Sequence, residues 1–173
     1  MTPAGPHHAP GRVLVNGAWL FVPVLALNFA LAGMLPAIHQ PEIFWRDIPD
    51  VLGWIENGSR IALIGLAALM PFGWNTPRRR SGLLLYALGL VLYGASWAAL
   101  ILAPASGWST SAPGLAAPAY LPALWLCGMW LAGGAYGEGS WTRVRPAFAA
   151  AGLVFLTAHL THMGLVLWRA GLL

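Results

Sequence analysis

The sequence predicts an all-α integral membrane protein, a bundle of five transmembrane helices with a cytoplasmic N-terminus and the C-terminus outside. Three observations predict it. The chain has 173 residues, of which 58% are hydrophobic and only 8% charged, against roughly 25% charged in soluble domains. The mean hydropathy is +0.68. The apolar residues fall into five runs, about 13–35, 51–74, 83–103, 115–136 and 146–168, each near the roughly 20 residues that cross a hydrocarbon core as a helix. No alternating β pattern is visible, and backbone in lipid must satisfy itself internally, so all five runs read as helices.

Taken in order, residues 1–12 (MTPAGPHHAPGR) are rich in Pro and Gly and lack periodicity. They read as a disordered tail ahead of one domain over 13–173, and the His7–His8 pair in it reads as inert. The first run is longer than the core of a secretory signal and lacks a small-residue cleavage site, so it reads as an uncleaved helix. Loop one holds Gln40-Pro-Glu-Ile-Phe-Trp-Arg-Asp-Ile-Pro49. Ile43, Phe44 and Trp45 between charges suit an interfacial turn or short helix, and Asp50 after Pro49 suits an N-cap for the second span. Loop three, PASGWSTSAPG, carries no charge.

Orientation follows from arginine. Arg12, Arg78, Arg79, Arg80, Arg143 and Arg145 lie in the tail and in loops two and four. Loop one is net acidic, with Glu42, Asp47 and Asp50 against Arg46. The positive-inside rule then places the N-terminus in the cytoplasm, with Arg169 alone dissenting. Every basic residue is Arg. That excludes a Schiff-base lysine and with it a retinal-binding opsin. The single Cys, Cys127, excludes an intramolecular disulfide, a CxxC pair and a zinc knuckle. Charges in short patches between apolar runs give no nucleic-acid signature. The lack of Lys and the wealth of Ala, Gly, Pro, Arg and Trp suggest a bacterial genome, and hence the bacterial inner (cytoplasmic) membrane.

The second span carries the chemistry. Its purely apolar part, 61–74, is only 14 residues long, so a spanning helix must reach back and take in Glu56, Asn57 and Arg60. Ionisable groups in a bilayer are expensive; they face the protein interior and pair. Gly53, Glu56, Arg60, Leu63 and Ala67 share one face. Glu56 precedes Arg60 by four residues, the better order for a helical ion pair. Such a pair either locks the helix or, with Arg60 binding an anion or Glu56 moving a proton, serves a site.

Depth links these residues to other spans. At 1.5 Å per residue, Glu56 lies roughly 8 Å and Arg60 roughly 14 Å below the outer end of the second span. His162 and His159 in the fifth span fall at roughly 9 and 14 Å, Asn28 in the first at about 11 Å, and Ser96 and Tyr93 in the third at about 11 and 15 Å. Trp97 and Trp125 share that depth. Each residue alone has a dull explanation: Asn28 as helix–helix glue, His159 as a hydrogen-bonded core histidine, Tyr93 as packing. Together they suggest a buried polar pocket in the outer half of the bilayer, against the competing reading of a satisfied structural network.

His159-x-x-His162 with Met163 beside it gives two imidazoles on one face, which together with Glu56 would suit a divalent metal. No H-E-x-x-H, repeated Glu-x-x-His or carboxylate cluster supports one, so no metal site is assigned and the cofactor is left open. The two histidines sit on the same side of one helix and cannot flank a haem, and His39 looks too near the surface for it. Gly133-Gly-Ala-Tyr-Gly137 contains G-x-x-x-G, a close-packing signal within the chain or between copies. The Arg78–Arg80 triplet reads as a topology determinant drawn to anionic lipid.

In length, helix number and tryptophan content the chain is similar to the tryptophan-rich sensory protein family, and the short segment Tyr120-Leu-Pro-Ala-Leu-Trp125 overlaps it. The W-x-P-P segment and the Trp-Asn signatures of that family are absent, so no functional residue is carried over. Three functions stay open. The first is binding or handling of a small amphiphilic, anionic or lipid-like ligand at Asn28, Glu56, Asn57, Arg60, Tyr93, Ser96, Trp97, Trp125, His159 and His162. The second is an accessory or assembly subunit of a membrane complex, or a homo-oligomer, with a purely structural polar layer. The third is an intramembrane enzyme using His/Glu acid–base or metal chemistry. No inverted repeat and no pair of broken helices is evident, which gives transport little support.

Overall fold

The computed structural model describes residues 16–134 and 141–173. The tail and the Tyr136–Gly137 end of the glycine motif lie outside the described residues. Within them the chain is helical, with one isolated bridge between Asn16 and Pro71 and no strand. Seven α-helices follow in order: α1 (Phe21–Leu31), α2 (Pro41–Phe44), α3 (Asp50–Ala68), α4 (Pro77–Leu102), α5 (Ala112–Tyr120), α6 (Pro122–Ala132) and α7 (Trp141–Arg169). Four helical segments are long and apolar enough to cross a membrane: 17–34, 77–102, 112–132 and 143–169. Large apolar side chains cover their outer surfaces, among them Phe29, Leu84, Val91, Leu102 and Leu153. Such a surface is compatible with a multi-pass membrane protein surrounded by lipid tails.

The second expected span departs from expectation. Its helix, α3, ends at Ala68 rather than near Trp74. Pro71 has no N–H to continue the ladder and biases the residue before it away from helix. What remains is a 19-residue helix carrying Asp50, Glu56 and Arg60, and it is not one of the four apolar spans. Its N-cap is Pro49 without a side-chain bond; Asp50 is the first helical residue, where its charge still meets the positive end of the helix dipole. The third span starts earlier than expected. Thr76 caps it by accepting from the Arg79 N–H at 3.3 Å, Pro77 opens it, and the Arg78–Arg80 triplet lies in its first turn. Cations there oppose the helix dipole. Two of them find local partners, Arg79 donating to Asn75 Oδ1 at 2.6 Å and Arg80 to the Trp74 carbonyl at 2.9 Å.

The fourth span is not continuous. α5 and α6 meet at Leu121, between Pro118 and Pro122. Pro122 supplies no N–H to the Pro118 carbonyl, nor Pro118 to that of Gly114, so two helical bonds are missing in mid-span. α6 packs most closely on α4. A methyl group added at Gly82, Gly89 or Gly128 would strike the backbone of the facing helix, so these glycines set a backbone-to-backbone approach. α3 lies along α7, and α7 closes the bundle against α5 and α6. α1 is the outlier. It meets α3 through Gly17–Leu20, where Gly17 N–H donates to the Met70 carbonyl at 2.8 Å. Farther along it touches α4, and most of its surface is left uncovered. Loop one turns back over the same end of the bundle as the start of α3. Its α2 reaches α7, and Asp47 takes the left-handed conformation (φ 52°) that Asp tolerates.

Candidate functional site

Glu56 is the centre of the buried polar network. It is 0% exposed, on the α3 face that packs along α7. The buried face is formed by Gly53, Glu56, Ser59, Leu63 and Ala67. Arg60 stands at its edge, its side chain 41% exposed. Arg60 Nη2 donates to Glu56 Oε1 at 2.7 Å, and His159 Nδ1 lies 3.0 Å from the same oxygen. His162 Nδ1 lies 2.7 Å from Glu56 Oε2, and its Nε2 lies 2.9 Å from the Phe44 carbonyl. Helices α3 and α7 are thus neighbours and share one carboxylate among three nitrogen-bearing side chains. His162 is 0% exposed, with the Phe44 and Trp45 rings 4.0 and 4.5 Å from its own.

This geometry counts protons. A carbonyl only accepts, and so does an ionised carboxylate. For both His162 contacts to be hydrogen bonds, one proton beyond the neutral ring must sit between His162 and Glu56, on either partner. In both placements Glu56 Oε1 accepts from His159, so Nδ1 of His159 carries that ring's proton. The trio of Glu56, His159 and His162 is then neutral. The charge of Arg60 is therefore not cancelled by the network that holds it. Arg60 lies 5.5 Å from the Phe155 ring centroid, and Phe155 stacks on His159 at 5.2 Å.

In front of this network is a cavity of about 370 Å³. The four apolar segments and α3 all line it. Phe21, Val24 and Asn28 come from α1, Arg60 and Leu63 from α3, and Tyr93 and Trp97 from α4. Pro118, Pro122 and Trp125 come from the broken segment, and Phe155, His159 and Met163 from α7. Phe44 and His39 of loop one close one end. Phe29, 86% exposed, and half-exposed Arg60 mark its mouth beside α1. The Tyr93 hydroxyl donates to Asn28 Oδ1 at 2.8 Å, which leaves the Asn28 amide protons without a partner among the described residues. Trp125 Nε1, Trp97 Nε1 and His39 Nδ1 are buried without a hydrogen-bond partner of good geometry. The Tyr93 hydroxyl lies close to Trp97.

Of the residues expected in a pocket, six line this cavity: Asn28, Arg60, Tyr93, Trp97, Trp125 and His159. Glu56 and His162 stand behind it as supports. Asn57 and Ser96 do not line the cavity. Asn57 follows Glu56 directly, so it is turned about 100° away; it faces outward and bonds the Gly53 carbonyl and Arg60. The Ser96 hydroxyl donates to the Tyr93 carbonyl of its own helix. His39, read from sequence as near the surface, is a lining residue instead. Its Nε2–H donates to the Leu115 carbonyl at 3.0 Å, docking loop one onto α5. Burial pulls its pKa below the ordinary 6.5, opposed in part by that bond. Among the described residues no group of three His, Cys, Asp or Glu side chains is disposed to hold a metal.

Comparison of the chain with family models, with curated proteins and with solved structures returned no match in any of the three.

Proposed function

We propose that this is a five-span protein of the bacterial inner membrane that binds or handles a small amphiphilic, lipid-like ligand. In this reading α3 is the fifth crossing. It tolerates Glu56 because the α7 histidines neutralise it, and Arg60 because it is paired and reaches the cavity mouth. The N-terminus is cytoplasmic by the arginine distribution, and the cavity lies in the outer half of the bilayer.

The observation that carries the reading is the cavity itself. Its volume falls in the range of small-molecule sites, and it has their form: apolar and aromatic walls with a few convergent polar groups. Arg60 supplies a net positive charge and spare donors for an anionic or carbonyl oxygen. Its mouth beside the loosely packed α1 suits a ligand arriving from lipid. A structural network needs no such space, so the cavity favours this reading over an accessory subunit. Among the described residues no nucleophile is hydrogen-bonded to His159, which gives an intramembrane enzyme less support.

Laurate titration of the protein in lipid nanodiscs tests it, with native mass spectrometry to count bound molecules. One laurate should bind saturably, and Arg60→Met should weaken it about tenfold or more, the loss of one charged hydrogen bond. Laurate that only partitions into the lipid, with no saturable fraction and no dependence on Arg60, would overturn the reading.

A further inference from the structure

Two imidazoles reach the cavity, and both present the same face of their chemistry. His159 spends its Nδ1–H on Glu56 Oε1, so in the neutral ring its Nε2 is a bare lone pair. That atom makes no hydrogen bond among the described residues. His39 is the mirror case. Its Nε2–H is spent on the Leu115 carbonyl, and its Nδ1, buried and without a partner, is a bare lone pair. The two tautomers are fixed from opposite sides by acceptors outside the cavity. Neither histidine can donate inward while neutral. His39 Nδ1 is a buried acceptor left without a donor, which is costly; of the other polar groups at the wall, the Tyr93 hydroxyl is spent on Asn28 and the rest offer N–H groups. An occupant that satisfies this lining must bring a donor of its own.

We propose that the cavity takes an amphiphile whose head group carries a hydroxyl, phenolic or alcoholic, donated to Nε2 of His159 or Nδ1 of His39, while its oxygen accepts from Arg60 or the Trp125 indole. This rests on the reading of the cavity as a ligand site and narrows it to a protic class. A hydroxyl is both donor and acceptor, which an ester, ether or ionised carboxylate is not. The aromatic walls, Phe21, Phe155 and Trp125 among them, suit a ring-bearing head group.

The test compares 4-nonylphenol with 4-nonylanisole, which replaces the hydroxyl proton by a methyl, and with laurate, on the full chain in nanodiscs. Saturable change in tryptophan fluorescence is the readout. The phenol should bind at least tenfold more tightly than its methyl ether, since a site built around a hydroxyl rejects an analogue without one. His159→Phe should lower phenol affinity about tenfold and leave the ether unchanged, whereas His159→Gln, which keeps an acceptor oxygen, should retain more of the preference. Should His159→Phe fail to fold, His39→Phe, outside the spans, carries the same comparison. Equal affinity for phenol and ether, or a phenol preference that survives both histidine replacements, overturns the proposal. Saturable laurate with no phenol preference would sink this inference and leave the ligand site standing. No saturable binding by any of the three would sink both.

Discussion

At the scale of single residues, the fold turns on one carboxylate. Glu56 accepts from Arg60, His159 and His162, so its replacement strands three polar groups. Glu56→Leu should cost about 3–5 kcal/mol, the range for removing one partner of a buried charged cluster. Arg60→Met should cost about 1 kcal/mol or less, because Arg60 is half-exposed and Glu56 keeps both imidazoles. Thermal unfolding of the variants in detergent checks the order; Arg60→Met proving the more damaging would contradict the proton count. His39 gives a pH prediction. Its folded pKa is lowered by burial, so above about 6.5 folded and unfolded states are both neutral and stability is full. Below that the unfolded state binds the proton first, and stability falls as pH drops toward the lowered value. His39→Phe should flatten this part of the melting-temperature profile; an unchanged slope would mean the ring is not buried. The Glu56–His159–His162 contact was legible in the sequence, because matched depth and i, i+3, i+4 spacing both depend only on helix geometry. His39 was not, because its burial is created by loop one folding onto α5, which no local pattern encodes.

At the scale of elements, α4 and α6 are joined by what they lack. Gly89→Ala or Gly128→Ala would place a methyl against the backbone of the opposite helix. Each should destabilise by about 1–3 kcal/mol or more, since backbone yields less readily than a side chain. Gly58→Ala on the open face of α3 meets nothing within 4 Å and should be neutral or stabilising by about 0.5–1 kcal/mol. Melting temperatures of the three variants settle the contrast; equal effects would remove the close approach. Apolar length alone located the helices, but their ends shifted wherever proline acted. Pro71 cut α3 short, Thr76–Pro77 started α4 early, and Pro118 with Pro122 broke the fourth span. That last signal, two prolines four residues apart in an apolar run, is present in the sequence. The break now lines the cavity, as interrupted membrane helices do where they border a site rather than lipid.

At the scale of the whole molecule, α1 is loosely attached to a tight bundle of α3 to α7, and the cavity lies between them. The topology is checked by cysteine labelling after Cys127, which is exposed, is replaced. Cysteines near Arg79 and Arg143 should react only from the cytoplasmic side and one near Asp47 only from outside; the reverse pattern would move the cavity to the inner half of the bilayer. The central claim, that lipid-derived ligand enters beside α1 and rests its head group against Arg60, is tested most directly by photolabelling in native membranes with a diazirine-bearing fatty acid, followed by peptide mapping. Saturable labels should concentrate in 21–32, 60–64 and 155–163, be competed by unlabelled fatty acid and be strongly reduced in Arg60→Met. Labels spread over the lipid-facing surface at Leu84, Val91 and Leu102, indifferent to competitor and to Arg60, would contradict it.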